Sequence, residues 1–200
     1  MPASAPRPSM TSSLGDRAAD DLRFIRDAMA RTATFTAVPG MGGALMGMVG
    51  LPAAVIAARQ PTSDRWLLVW LVAAALAAAI GVTAIVLKAR RAALALDGRT
   101  ARHFATGLMA PLAAGAAITY ALWSAGLYSA MPGVWLLLYG AGVLIGGMFA
   151  VRVVRVTGAL FMVFGFAAVV LPQYGNVLLG AGFGALQAIG GIFIARRHGG

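Results

Sequence analysis

The sequence predicts an all-α, polytopic integral membrane protein: six transmembrane helices arranged as three hairpins, preceded by an N-terminal amphipathic interfacial helix. Three observations predict it. The 200-residue chain is 60% hydrophobic, with a mean hydropathy of +0.83. Only 11% of its residues are charged, where a soluble domain carries about a quarter. Its apolar residues gather into six stretches, at about 35–58, 66–87, 105–127, 133–151, 156–172 and 175–195. Crossing about 30 Å of hydrocarbon takes roughly 20 such residues, so each is a candidate span, the fifth being the shortest.

Residues 1–13 form a leader rich in Pro, Ser and Ala, which is expected to be disordered. Either Met1 or Met10 fits as the initiating residue. Residues 14–33 read as a cytoplasmic amphipathic helix. Leu22, Ile25 and Met29 share one face, and Asp27 and Arg31 make a favourable i,i+4 pair. Such a helix lies on the membrane surface and anchors the first span, and it also offers a docking surface to a cytoplasmic protein partner. A cleaved signal peptide is not expected, because the polar stretch is too long and too acidic. The membrane domain is then 35–200.

The first span opens with Phe35-Thr36-Ala37-Val38-Pro39-Gly40. Pro39 has no N–H and pushes Val38 away from helical angles. A helix starting at Pro39 satisfies both constraints. A break offering N–H groups to an anion such as a lipid phosphate is the alternative. Met41, Met46 and Met48 follow and read as adaptable packing. With no His or Cys beside them they do not suggest a metal site.

The basic residues orient the chain. With the N-terminus in the cytoplasm, 14 of the 16 Lys and Arg residues fall inside. Only Arg59 and Arg65 fall outside, so the positive-inside rule places both termini in the cytoplasm. The net charge of +10 follows the membrane segments rather than forming one patch. It therefore points to anionic lipids at the cytoplasmic face and not to nucleic acid. Trp66, Trp70, Tyr128, Trp135 and Tyr174 fall at the outer ends, where an aromatic belt is expected at head-group level.

Twenty-six glycines are the next anomaly. Gly43 and Gly47, Gly142 and Gly146, and Gly180 and Gly184 each put two small residues on one helix face. Lipid tails are as apolar as Leu, so helices associate in membranes through close packing, which small residues permit. These faces suggest a tight bundle, and they leave homo-oligomerisation open. An internal repeat links the last two hairpins. Tyr139-Gly140-Ala141 and Ile145-Gly146-Gly147 align without gaps to Phe183-Gly184-Ala185 and Ile189-Gly190-Gly191, at an offset of 44 residues. Ala79-Ile80-Gly81 in the second span is a fainter echo.

Polar residues within the spans are few. Gln187 replaces Val143 of the repeat and is the one amide near the middle of a span. In lipid it needs a partner or a polar cavity. Thr119, Tyr120, Ser124 and Tyr139 are its candidate companions along a ligand site or pathway. No Asp, Glu, Lys or His lies deep in any span, which argues against a proton pump or antiporter.

Catalytic chemistry finds no constellation. Asp97-Gly98-Arg99-Thr100-Ala101-Arg102 resembles the D-G-x-x-A-R core of the CDP-alcohol phosphotransferases. That resemblance implies four Asp residues around two metals, and the other three positions here are Leu94, Gly115 and Thr119. An Asp-Gly turn at the inner leaflet is the better account. His103 and His198 lie at the cytoplasmic surface, away from any nucleophile in a span. There is no cysteine, so no disulfide or thiolate site exists. No catalytic residue, metal or cofactor is expected, and the chain is not expected to be an enzyme.

Asp21-Leu22-Arg23-Phe24-Ile25-Arg26, Phe35-Thr36-Ala37-Val38-Pro39-Gly40 and the closing Arg196-Arg197-His198-Gly199-Gly200 resemble a group of bacterial inner-membrane proteins without an assigned activity. The resemblance implies a six-span protein of the bacterial inner membrane. Two functional expectations stand beside it. One is binding or passage of a small neutral or lipid-like molecule, with Gln187 at the site. The other is a non-catalytic sensor or scaffold that docks a cytoplasmic partner through 14–33.

Overall fold

The computed structural model describes residues 21–22, 40–91, 99–149 and 152–198. The chain divides into two compact units, Met1–Thr34 and Phe35–Gly200. The second carries the membrane domain and is the one described below. The leader, most of the 14–33 helix, the Pro39 helix start and the Asp97-Gly98 turn lie outside the described residues.

The described residues contain helices and short connections and no strand. Helix α1 is Gly40–Ala57, α2 Ser63–Arg91 and α3 Arg99–Ser124. A 3₁₀ turn, Tyr128–Ala130, leads into α4, Met131–Gly146, and α5 is Arg152–Val170. The sixth span joins α6 (Gly175–Leu179), a π-helical stretch (Gly180–Leu186) and α7 (Gln187–His198) into one continuous rod. Six helices are long and apolar enough to cross a membrane, and the chain is a multi-pass membrane protein on that ground. The described turns are short, and among the described residues Gly126 takes a positive φ of 71°, a conformation that costs glycine no side-chain clash.

The helices do not pack evenly. The fourth span lies along the fifth, and the first along the sixth; these are the most extensive contacts. The first span also meets the second, and the third meets the fourth. The second and third share no extended interface among the described residues. Only 11% of the residues in each of these two spans are buried, against 39% for the first and sixth and 44% for the fourth. The bundle is thus a ring of neighbours left open between its second and third members.

Close approach along the first and sixth spans follows from small residues at three- and four-residue spacing. A Cβ placed on Gly40 would lie 2.2 Å from the backbone N of Ala195, and one on Gly47 2.4 Å from that of Ala188. From the other side, a Cβ on Gly184 would lie 2.7 Å from Leu51 Cδ2. No side chain larger than hydrogen fits at Gly40 or Gly47 with the backbones where they are, and at Gly184 the Leu51 side chain would have to give way. The fourth and fifth spans meet similarly, Gly140 against the Gly158 carbonyl and Gly158 against the Leu144 amide. Gly142 faces Leu108 of the third span, and Gly107 faces Gly146.

The interior is filled by side chains. Met131, Leu136, Phe161 and Leu179 are fully buried. Ala53, Ala57, Trp70, Ala73 and Ala168 join the last three in one cluster. The outward surface is apolar, with Leu68, Val72, Val82, Val163, Phe166 and Ile189 all exposed. In water such a surface would mark an aggregating protein; in hydrocarbon it is the solvated face.

Candidate functional site

Gln187 stands at the first position of α7, directly after the π-helical stretch. Its amide nitrogen faces the first span, 3.9 Å from where a Cβ on Gly43 would sit. Its side chain also meets the Tyr139 hydroxyl on the fourth span. The two intramembrane polar groups therefore find each other, as an amide and a phenol in hydrocarbon must.

Tyr139 is held by rings. It packs edge-on to Phe161 at 4.8 Å and to Phe183 at 5.0 Å, and Phe161 and Phe183 lie 5.2 Å apart. Such tilted contacts set positive ring edges against negative faces. Tyr139 and Phe183 are equivalent positions of the 44-residue repeat, so the two copies meet through the same residue of each. Trp70 of the second span reaches the same cluster, 6.5 Å from Phe183.

The π-helical stretch, Gly-Ala-Gly-Phe-Gly-Ala-Leu, runs above Gln187. Its glycines face opposite neighbours. A Cβ on Gly180 would meet Ala54 of the first span at 2.7 Å, and one on Gly182 would meet Leu136 of the fourth at 2.6 Å. The sixth span is thus wedged between two others where its own helix is widened. Wide turns of this kind interrupt the regular ladder and recur at functional positions.

The other candidates lie elsewhere. Thr119 donates to the Gly115 carbonyl at 2.6 Å and accepts from Trp135 Nε1 at 2.8 Å. Ser124 donates back to the Ala121 carbonyl of its own helix at 2.9 Å. Tyr120 is 68% exposed on the outer surface of the third span, its ring beside Trp123. Of the five, the structure brings Gln187 and Tyr139 together and places Thr119, Tyr120 and Ser124 along the third span.

At the end of the bundle that holds Arg59 and Arg65, a second polar group appears that sequence reasoning missed. Asn176 Oδ1 accepts from Trp66 Nε1 at 2.9 Å and from Trp70 Nε1 at 3.1 Å. Its Nδ2 donates to the Ala54 carbonyl at 3.0 Å. That carbonyl also accepts from the Ala58 amide at 3.1 Å, so both its lone pairs are used. One amide thereby ties the first, second and sixth spans. Two donors on one side and an acceptor on the other fix which way the amide faces. Trp66 stacks on Trp135 of the fourth span, rings 5.8 Å apart and nearly parallel. Trp70 departs from the expected aromatic belt: it is 4% exposed, and its N–H is given to Asn176. A buried indole needs an acceptor, and Asn176 supplies it in place of lipid.

Above this knot lies an open depression of about 550 Å³, lined by Gln60, Thr62, Ser63, Tyr128, Ser129 and Gln173 among others. Beside it, Asp64 accepts from Trp123 Nε1 at 3.1 Å and from the Tyr128 hydroxyl. The Trp123 bond bridges the second span to the third, which otherwise share little among the described residues, and the Tyr128 bond ties Asp64 to the turn before the fourth. Asp64→Ala is therefore expected to loosen the third span selectively. Amide exchange should quicken in the half of α3 that ends at Ser124 and stay slow in the fourth and fifth spans. Uniform exchange across the bundle would refute the bridging role.

Among the described residues no three His, Cys, Asp or Glu side chains come together to hold a metal. No family model matches the chain, and no curated protein or solved structure matches it.

Proposed function

We propose that the chain binds or passes a small neutral or lipid-like molecule within the membrane, beside Gln187. The supporting observation is the meeting of Gln187 and Tyr139 where three spans cross, next to the widened π-helical stretch. The pair offers uncharged donors and acceptors in apolar surroundings. A charged ligand would lose its hydration there with no counter-ion in return, whereas a hydroxyl, carbonyl or ester would find a partner. Widened, glycine-lined helix can rearrange without displacing a large side chain. The proposal contains no catalytic step.

In this reading the protein sits in a bacterial inner membrane with both termini in the cytoplasm, as the distribution of basic residues favours. The helices form three hairpins, the last two of them copies of one ancestral unit as their gapless alignment at 44 residues suggests. Gly43, Gly47, Gly142, Gly146, Gly180 and Gly184 serve helix packing, a role supported by the backbone of the sixth span lying against Gly43 and Gly47, by Gly107 against Gly146, and by Leu108, Ala54 and Leu51 against Gly142, Gly180 and Gly184. Anionic lipids surround the basic end.

The test uses the missing cysteines. Gln187→Cys is made in this Cys-free chain and treated in sealed membranes with a small impermeant thiol reagent from each side. Fast labelling from one side is expected. Silence at 187, with Gln173→Cys reacting normally, would end this reading. The second reading would then lead, a sensor or scaffold docking a cytoplasmic partner through 14–33. Full burial of Met131, Leu136, Phe161 and Leu179 favours it, because a solid centre suits a rigid platform.

A further inference from the structure

At the end of the bundle opposite Asn176, a groove of about 520 Å³ runs between the fifth and sixth spans. Its walls are apolar: Val156 and Leu160 on one side, Ile189 and Phe193 on the other. Its floor is where the helices touch, Gly190 against Thr157, with 3.1 Å between the Thr157 hydroxyl and a Cβ on Gly190. Two arginines, Arg152 and Arg197, stand at its mouth.

Both guanidiniums are exposed, and among the described residues neither pairs with a carboxylate. Arg197 is positioned rather than free-swinging, since its guanidinium carbon lies 4.6 Å above the Phe193 ring. A cation over an aromatic face is held there by the ring quadrupole. Phe193 therefore does two things: it walls the groove and fixes a charge at its opening.

We propose that this groove is a binding site for one anionic phospholipid. The headgroup phosphate bridges Arg152 and Arg197, and an acyl chain lies along Val156, Leu160, Ile189 and Phe193. Charge and shape complementarity select this occupant. A zwitterionic lipid brings its own cation to a mouth that already has two. A soluble anion has no use for the apolar walls below. An anion on an apolar chain satisfies both, and the volume falls in the range of about 300–1,000 Å³ typical of small-molecule sites. Arginine pairs suit phosphate because each guanidinium presents a planar fork of donors. The site is separate from Gln187, and the proposal holds whatever the fate of the reading above.

The test takes the purified full chain in neutral detergent and follows retained lipid by native mass spectrometry. Phosphatidylglycerol and phosphatidylcholine with identical acyl chains are the probes. The expected result is preferential retention of a single phosphatidylglycerol. Arg152→Gln with Arg197→Gln should weaken that retention about tenfold or more, since each basic residue near a membrane surface contributes measurably to anionic-lipid attraction. Arg155→Gln with Arg196→Gln removes the same charge from residues outside the groove and should leave it nearly intact. Leu160→Trp, which fills the groove, should weaken retention with both arginines present. Equal retention of the two lipids would overturn the proposal. So would equal loss in the two arginine pairs, which would mean general surface attraction. Displacement by inorganic phosphate at comparable concentration would reassign the mouth to a soluble anion and overturn the lipid assignment. Circular dichroism of each variant confirms that the helices remain.

Discussion

Gly191→Leu is expected to prevent the membrane domain from closing. A Cβ on Gly191 would lie 2.2 Å from the amide nitrogen of Ala44, 2.6 Å from the Gly43 carbonyl carbon and 2.7 Å from the Gly40 oxygen. All three are backbone atoms of the first span. No rotamer change relieves them, so the two helices must part. Alanine alone should cost about 1–3 kcal/mol, the usual range for overpacking a tight interior. Leucine should leave the chain aggregated on detergent extraction, read by size-exclusion chromatography. The control is Gly115→Ala, also within a span. There a Cβ meets only Leu138 Cδ1, at an ordinary 3.5 Å. That variant should match the parent or gain up to about 1 kcal/mol from helix propensity. Equal thermal stability of Gly191→Ala and Gly115→Ala would show that the first and sixth spans are not in close backbone contact.

Asn176→Ala is expected to lower stability by about 2–4 kcal/mol, because buried groups left without partners cost roughly 1–3 kcal/mol each. The change strands the N–H groups of Trp66 and Trp70 together. The indoles must then turn toward water, so intrinsic fluorescence should shift to the red even below the unfolding transition. Asn176→Asp keeps an acceptor for both indoles but sets a carboxylate oxygen against the Ala54 carbonyl in place of the donor, so it should lose stability while holding the parent's emission maximum. An alanine variant that melts with the parent and keeps its emission maximum would remove Asn176 from the account of what holds this end.

The six spans are legible because hydrocarbon imposes one strict demand, a long run without charge, and the chain meets it plainly at each one. Gln187 is legible for the converse reason, as an amide in a run of Gly, Ala and Ile. Its repeat partner Val143 sharpened the contrast. Its contact with Tyr139 was not legible, since two residues 48 positions apart meet only through the crossing of helices. Asn176 went unnoticed because it stands in Gln173-Tyr174-Gly175-Asn176, where a polar residue reads as loop. A usable signal was nonetheless present: two Trp one helical turn apart, 66 and 70, need an acceptor if that face is buried. The π-helical stretch has no sequence rule of its own. Alternating glycines permit it, and the squeeze between the first and fourth spans accompanies it. The open side of the ring was equally hidden, for the second and third spans are as apolar as the rest.

The contact between the first and sixth spans has a consequence in time. The first span is made well before the sixth, which carries the surface that receives its glycines. At about 5–20 residues per second, the interval is on the order of ten seconds. Throughout it, Gly40, Gly43, Gly47 and Gly50 form a bare strip of backbone in the bilayer, able to accept any small-residue helix that drifts past. The contact between the first and sixth spans therefore forms only after the five preceding spans have been made. A chain halted before residue 175 would keep five hydrophobic spans, the first still resting on the second but with its glycine strip uncovered.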